Sequence, residues 1–154
     1  NNVLNQMEVS MCSDNTITTM ATLFFSDLDE INLRHATLSN NQFKALVSGI
    51  IASKENVENK LEIRKIILGD NVTCDKAAVM ALADKAQHLR QLFLGDNVTC
   101  DTEGVMILAD KTQHLTLLFL RRKVTCGNNA QSLFFQNNPL LTKIFCNHQW
   151  VTRP

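Results

Sequence analysis

The 154-residue chain has no excess charge of either sign, no long apolar run and little glycine or proline. Its 15 Lys and Arg balance 15 Asp and Glu, so it lacks the basic footprint of nucleic-acid-binding and membrane-surface proteins. No run approaches the ~18 apolar residues of a membrane span. Five glycines form no phosphate-binding loop, and no Pro- or Gly-rich linker divides the chain. We therefore expect one domain, with no cofactor, no nucleic-acid partner and no membrane partner.

Cysteine pairing and targeting signals are also missing. The five cysteines are odd in number and are not clustered in pairs, which is a poor framework for disulfides. This pattern favours an intracellular, reducing compartment, and we expect a cytoplasmic protein. No secretion signal is visible. The sequence opens on Asn1 without an initiator Met, so we expect a fragment of a longer protein.

One segment of the sequence is repeated at a fixed spacing. LGDNVTCD occupies positions 68–75 and again 94–101, and the tripeptide Val-Thr-Cys returns at 124–126. Each copy lies 26 residues after the one before it. Such a period is typical of stacked-repeat proteins, which work mostly as extended binding surfaces.

The repeated segment belongs to a longer pattern, L-x-x-L-x-L-x-x-N, which residues 89–97 show in full. Copies begin near positions 4, 28, 63, 89, 115 and 141, so the pattern spans residues 1–154 as a single domain. The pattern resembles the signature of the leucine-rich repeat family. The 26-residue length of the repeat is similar to that of the cysteine-containing subclass. The Asn at the ninth position of the pattern resembles the ribonuclease-inhibitor-like subclass. The resemblance implies an α/β fold: a curved right-handed solenoid with parallel strands on the concave face and short helices on the convex face.

Each repeat contains an alternating x-L-x-L segment that predicts a strand. Leu92 and Leu94 then point inward while Phe93 points outward. We expect Asn71 and Asn97 to turn into the interior, where their amides would satisfy backbone groups left unpaired by the bend. Both begin formal N-glycosylation sequons, which such burial would block.

A short helix is predicted after each strand. Asp75 and Asp101 are suited to cap the helices of two repeats, and Ser39 or Asn40 to cap a helix upstream. Apolar residues at i, i+3 and i+4 mark the faces expected to be buried. These are Val79, Leu82 and Ala83 in one repeat, and Val105, Leu108 and Ala109 in the next.

Cysteine and histidine recur with the repeat, at Cys74, Cys100 and Cys126 and at His88 and His114. Zinc sites favour close pairs such as C-x-x-C, which are missing here. A catalytic Cys–His pair would need a third, orienting group. Copying of a whole repeat explains the recurrence more simply, so we expect a buried ladder of thiols. No catalytic or metal-binding residue is predicted.

The outward-facing strand positions form an apolar row at Ile67, Phe93, Phe119 and Phe145. Exposed contiguous apolar surface usually marks a binding site, and aromatic residues dominate interface hot spots. Charged residues follow the strands: Asp70 and Asp96 in two repeats, Arg121 and Arg122 in the third. Such charges tend to set specificity and association rate. The alternative is that the row stacks on itself or is covered by another part of the protein.

These observations favour a non-enzymatic protein–protein interaction module that binds a protein ligand on its concave face. One alternative is the recognition domain of a larger protein. Examples are a ubiquitin-ligase substrate receptor, an intracellular immune sensor and a bacterial effector secreted into a host cytoplasm. Another alternative is a structural segment covered by further repeats or a partner subunit. Because the sixth copy reaches Pro154 with no recognisable polar cap, a dimer through an open end is also expected.

Overall fold

The computed structural model describes residues 17, 30–55, 63–84 and 87–154. Within these ranges, strands and helices alternate along the chain until the last two strands. The strands are β1 (Glu30–Leu33), β2 (Lys65–Leu68), β3 (Gln91–Leu94), β4 (Leu117–Leu120), β5 (Lys143–Cys146) and β6 (Gln149–Thr152). The helices are α1 (Asn40–Glu55), α2 (Lys76–Ala83), α3 (Thr102–Lys111) and α4 (Asn128–Asn137). None of these helices has the length and apolar character needed to cross a membrane.

The six strands form one sheet in sequence order, and each of the first five is parallel to the next. Lys65 pairs with Gln91 and Gln91 with Leu117, so these strands follow one another at the 26-residue period. Each parallel connection carries a helix, as parallel strands require a crossover. The predicted α/β class and its alternating strand–helix order are confirmed.

The core lies between the sheet and the helices. Leu92 and Leu94 are buried in it, whereas Phe93 between them is only half-buried, so the predicted alternation is confirmed. The predicted inward faces of α2 and α3 belong to the same core cluster. The first residues of the later copies are also buried in it: Ile63, Leu89, Leu115 and Leu141. The copy predicted to begin at Leu4 lies outside the described residues, as does Leu28.

The helix N-termini follow the predicted caps. The Asp75 side chain accepts a hydrogen bond from the Ala78 backbone N–H at 3.0 Å, and Asp101 accepts one from the Gly104 N–H at 2.8 Å. Before α1, the Ser39 hydroxyl accepts from the Gln42 N–H at 3.2 Å, and the Gln42 side chain accepts from the Ser39 N–H at 2.9 Å. This reciprocal pair is a capping box, which satisfies two otherwise unpaired backbone donors.

The prediction that Asn71 and Asn97 turn inward is wrong. Asn71 is exposed and Asn97 half-buried, while Val72 and Val98, one residue further on, enter the core. The Asn97 amide still satisfies a backbone group, because it donates to the Asp70 carbonyl of the neighbouring turn at 2.5 Å. It does so from the surface. The burial expected to block glycosylation of Asn71 is therefore missing.

The C-terminal end also differs from the expected open end. After β5 the chain reverses at Asn147 and His148, whose φ angles are 51° and 67°, and returns as β6. Positive φ at both central residues is the geometry of a type I′ hairpin turn, which matches the twist of paired strands. The edge of β5 is thus covered by β6. The Arg153 side chain, just after β6, donates hydrogen bonds to the backbone carbonyls of Leu141 and Asn138, at 2.9 and 2.6 Å. These bonds hold the residue after β6 against the segment before β5.

Candidate protein-binding surface

Three phenylalanines lie side by side on the sheet face turned away from the helices. Phe93 is in register with Phe119 on the next strand, and Phe119 with Phe145 on the one after. The alternate residues of these strands already fill the core, so the three rings do not belong to the core cluster. All three side chains are half-buried. The structure therefore brings these predicted site residues together on one surface.

The rings cover much of one another. Phe119 and Phe145 stack with centroids 4.3 Å apart and planes 6° from parallel. Phe93 and Phe119 stack more loosely, at 5.8 Å and 26°. Self-stacking, which we considered as an alternative to binding, thus accounts for part of the burial. Part of each ring remains open to solvent, because none of the three residues is fully buried.

A tryptophan that the sequence analysis missed completes this surface. Trp150 on β6 pairs with Phe145 across the hairpin, and its side chain is 45% exposed. Its ring meets Phe145 edge-on, with centroids 5.2 Å apart and planes at 75°, and it meets Phe119 at 6.0 Å and 72°. We call Phe93, Phe119, Phe145 and Trp150 the aromatic stripe. The sequence gives little signal for Trp150, because the two-residue turn at Asn147 and His148 lacks the glycine that usually marks a hairpin.

Ile67 was predicted to be exposed in the same row, and this prediction is wrong. Its position in the register is correct, since it pairs with Phe93, but its side chain is only 4% exposed. Ile67 lies on the central strand of three, with Asn32 and Phe93 in register on either side. An isoleucine side chain is shorter than a phenylalanine ring and is more easily covered by such neighbours. Ile67 therefore lies beside Phe93 at one end of the stripe and offers little surface for a ligand.

The four predicted charged residues gather at the ends of the strands. Arg121 donates from Nε to Asp96 Oδ1 at 3.0 Å, and Nε of Arg122 lies 3.8 Å from the same oxygen. The Arg121 guanidinium holds the pKa of the Asp96 carboxyl below its ordinary value, so this group stays anionic at neutral pH. Asp70 accepts a hydrogen bond from the Asp96 backbone N–H at 3.1 Å. These four charged residues therefore form one connected cluster.

This cluster adjoins the stripe and two hollows. The Arg121 guanidinium carbon lies 5.6 Å from the centre of the Phe119 ring, within cation–π range. A cavity of about 340 Å³ is lined by Asp96, Leu120, Arg121, Arg122, Phe145 and His148. A second hollow of about 230 Å³ lies toward the other end, beside Phe93, Asp70 and Ile67. Both combine apolar and charged walls, as ligand-binding clefts commonly do.

The recurring cysteines are buried as predicted. Cys74, Cys100 and Cys126 are free thiols with about 1% of their surface exposed. Burial raises the pKa of Cys74 to about 12 and that of Cys100 to about 11. A hydrogen bond to Cys146, together with burial, raises the pKa of Cys126. These thiols are therefore protonated at neutral pH, the form that is a poor nucleophile and a poor metal ligand.

The recurring histidines lie apart from the thiols, at the opposite ends of the strands. His88 and His114 are exposed and stack with ring centroids 6.0 Å apart and planes 4° from parallel. In the part of the chain that the structure describes, no group of three or more His, Cys, Asp or Glu side chains is placed to hold a metal ion. Cys and His thus recur because the repeat recurs, and within the described residues their recurrence does not assemble a group of metal ligands.

Comparison of this chain with protein-family models, with curated proteins and with solved structures finds no match. The surface itself is therefore the basis for any functional assignment. It joins four aromatic rings, a connected cluster of two carboxylates and two guanidinium groups, and a cavity where rings and charges meet.

Proposed function

We propose that this chain is a non-enzymatic leucine-rich repeat solenoid that binds a protein ligand through its aromatic stripe. The solenoid assignment is supported by the repeated strand–turn–helix unit. Residues 68–75 and 94–101 are identical in sequence and adopt the same turn, bridge and helix start. Consecutive helices α2, α3 and α4 also begin 26 residues apart, at Lys76, Thr102 and Asn128. A chain built this way presents one side chain per repeat along a shared face.

The observation that carries the proposed function is the continuity of the stripe. Its four rings span three parallel strands and a hairpin on a face that is not needed for the core. Aromatic rings bury large areas at little cost in conformational entropy, and Trp in particular is enriched among interface hot spots. Rings held by mutual stacking are already ordered before binding, which reduces that cost further.

A matched pair of variants tests this proposal. Phe119→Ala combined with Trp150→Ala removes the centre and the most exposed ring of the stripe. Leu140→Ala removes a side chain that is 71% exposed but lies before β5, outside the stripe. Proteins captured by the wild-type chain should be lost with the double variant and kept with Leu140→Ala. Equal capture by all three, with each variant shown to be folded by circular dichroism, would contradict binding through the stripe.

A second candidate function is self-association through the edge of β6. Within the described residues β6 is the outer strand of the sheet, and an outer strand presents backbone N–H and C=O groups that can pair with another chain. The dimer was expected to form through an uncapped end of the repeats. Because β6 covers the edge of β5, the edge of β6 is the surface now proposed for it. Light scattering over a concentration series tests it: a mass that stays monomeric at the highest concentration would count against the dimer.

We also propose a cytoplasmic location for this module. The four described cysteines are all free and buried, which suits a reducing compartment. A role as the recognition part of a ubiquitin-ligase receptor, an immune sensor or a bacterial effector stays a prediction. The identity of proteins captured specifically through the stripe would distinguish these roles.

A further inference from the structure

The cavity beside Phe145 holds more positive than negative charge. Its two guanidinium groups, Arg121 and Arg122, share a single carboxylate, Asp96. Arg121 makes the close hydrogen bond at 3.0 Å, whereas Arg122 reaches the same oxygen only at 3.8 Å. The Arg122 side chain is also 62% exposed. One guanidinium is therefore largely neutralised, and the other keeps donors available to a ligand.

A further cation lies against the stripe at Trp150. The Lys143 ammonium lies 4.4 Å from the centre of the Trp150 ring. Together with Arg122, which lines the cavity beside Phe145, it places two cations around the Phe145 and Trp150 rings. Carboxylates are the partners that guanidinium groups bind best among protein side chains, often through two parallel hydrogen bonds. The charge of this surface therefore complements an acidic ligand.

The ring geometry favours a peptide over a nucleic acid. Single-stranded nucleic acids bind by stacking bases on open aromatic faces. The facing surfaces of Phe119 and Phe145 are closed against each other at 4.3 Å, and Trp150 meets Phe145 edge-on. The apolar parts of the rings that stay exposed suit aliphatic or aromatic side chains. The chain also has no net charge, unlike proteins that neutralise several phosphates.

We propose that the cavity receives the carboxylate of an Asp or Glu in an extended segment of the partner protein. A large apolar side chain of the same segment lies on Phe119, Phe145 and Trp150. The two are expected two residues apart, because alternate side chains of an extended chain share one face at a spacing of about 7 Å. The inference rests on the proposed function and specifies its ligand.

The test is a selection of short random peptides against the purified chain, followed by fluorescence anisotropy with the enriched peptides. We expect enrichment of Asp or Glu two residues from Leu, Ile, Phe or Trp. Arg122→Glu should weaken these peptides at least about tenfold, the effect of losing one charge-assisted hydrogen bond. Arg90→Glu is the matched control, because Arg90 is exposed but precedes β3 at the opposite end of the strands. It should leave affinity unchanged.

The outcomes separate this inference from the proposed function. Peptides that need Phe119 but show no acidic preference and ignore Arg122→Glu would overturn the acidic ligand and leave stripe binding intact. Failure to enrich any peptide would also overturn the proposal that the ligand is an extended acidic segment. Binding through the stripe would then still be tested by protein capture with the Leu140→Ala control. Peptides that bind Phe119→Ala as well as wild type would contradict both. An unstructured RNA oligonucleotide that binds tightly and displaces the peptides would overturn the peptide ligand in favour of nucleic acid.

Discussion

The Asn138 side chain bonds the backbone of Leu115, 23 residues earlier, with both residues completely buried. Asn138 Oδ1 accepts from the Leu115 N–H at 2.9 Å. The Nδ2 group donates to the Phe134 carbonyl at 2.9 Å and to the Thr112 hydroxyl at 3.2 Å. One amide thus joins the end of α4 to the segment that leads from α3 into β4.

Asn138→Ala should lower the free energy of unfolding by about 2–4 kcal/mol. The change leaves the Leu115 N–H buried without a partner, and an unsatisfied buried group costs about 1–3 kcal/mol in addition to the cavity created. Urea denaturation measures the loss. Asn129→Ala, at an exposed position of the same helix, is the control and should change stability by less than about 0.5 kcal/mol. Similar losses of unfolding free energy in both variants would contradict a stabilising role for the hydrogen bond between Asn138 and Leu115.

Gly95 allows two neighbouring turns to approach closely. A methyl group on Gly95 would lie 2.5 Å from the Gly69 carbonyl oxygen, too close for real atoms. Gly95→Ala should therefore destabilise the fold by about 1–3 kcal/mol, because the turn backbones must move apart. Thr99→Ala, at an exposed position of the same repeat, is the control and should change stability by less than about 0.5 kcal/mol. Thermal melting should show a marked loss for Gly95→Ala alone.

The helix α4 begins without the cap found in the two preceding repeats. Gly127 occupies the position of Asp75 and Asp101 and makes no side-chain cap hydrogen bond. Gly127→Asp should stabilise the chain by a few tenths to about 1 kcal/mol, because aspartate can accept a backbone hydrogen bond and favours the positive helix end. Asp101→Ala is the reciprocal test and should cost about 1 kcal/mol. Destabilisation by Gly127→Asp would show that the turn needs glycine.

Strand register and the caps of α2 and α3 could be predicted from the sequence because a copied repeat carries its local interactions with it. Asp75 and Asp101 stand at the same point of the period, and each caps its helix in the same way. Leu92 and Leu118, one period apart, are paired in the sheet and both buried. Periodicity therefore predicts contacts between residues far apart in the chain when the two share a place in the repeat.

Trp150 and Ile67 could not be assigned in this way. The last copy keeps the inward residues Ile144 and Cys146 but then turns at Asn147, which lacks the glycine that usually marks a type I′ turn. The exposure of Ile67 depends on the side chains beside it in other repeats, which the pattern leaves variable. Solvent exposure and chain reversal are tertiary properties, and they determine which residues form the proposed binding surface.

Asp75 should make stability depend on pH. The hydrogen bond from the Ala78 N–H, together with those from Lys44 and Asn40, lowers the pKa of Asp75 from 3.8 to about 2. A lowered pKa means that the carboxylate stabilises the fold above pH 4, and this contribution is lost as pH falls toward 2. Asp75→Asn keeps an acceptor for the cap but removes the charge that pairs with Lys44. Urea unfolding should show wild type more stable at pH 7 and the two proteins converging near pH 2. A difference that stays constant with pH would contradict this role.

Phe119 and Leu118 are adjacent in β4, but Leu118 should matter more for stability and Phe119 more for binding. Leu118 is completely buried, so Leu118→Ala should cost about 2–5 kcal/mol of stability. Phe119→Ala removes the two ring stacks with Phe93 and Phe145 on a half-exposed face, each worth about 0.5–1.5 kcal/mol, and should cost about 1–3 kcal/mol in total. Binding of a stripe-dependent partner should show the reverse order, with a loss of at least about 2 kcal/mol for Phe119→Ala if it is a hot spot. Denaturation and titration on the same samples separate the two effects. Equal melting losses for both variants would place Phe119 in the core and remove the basis for the stripe.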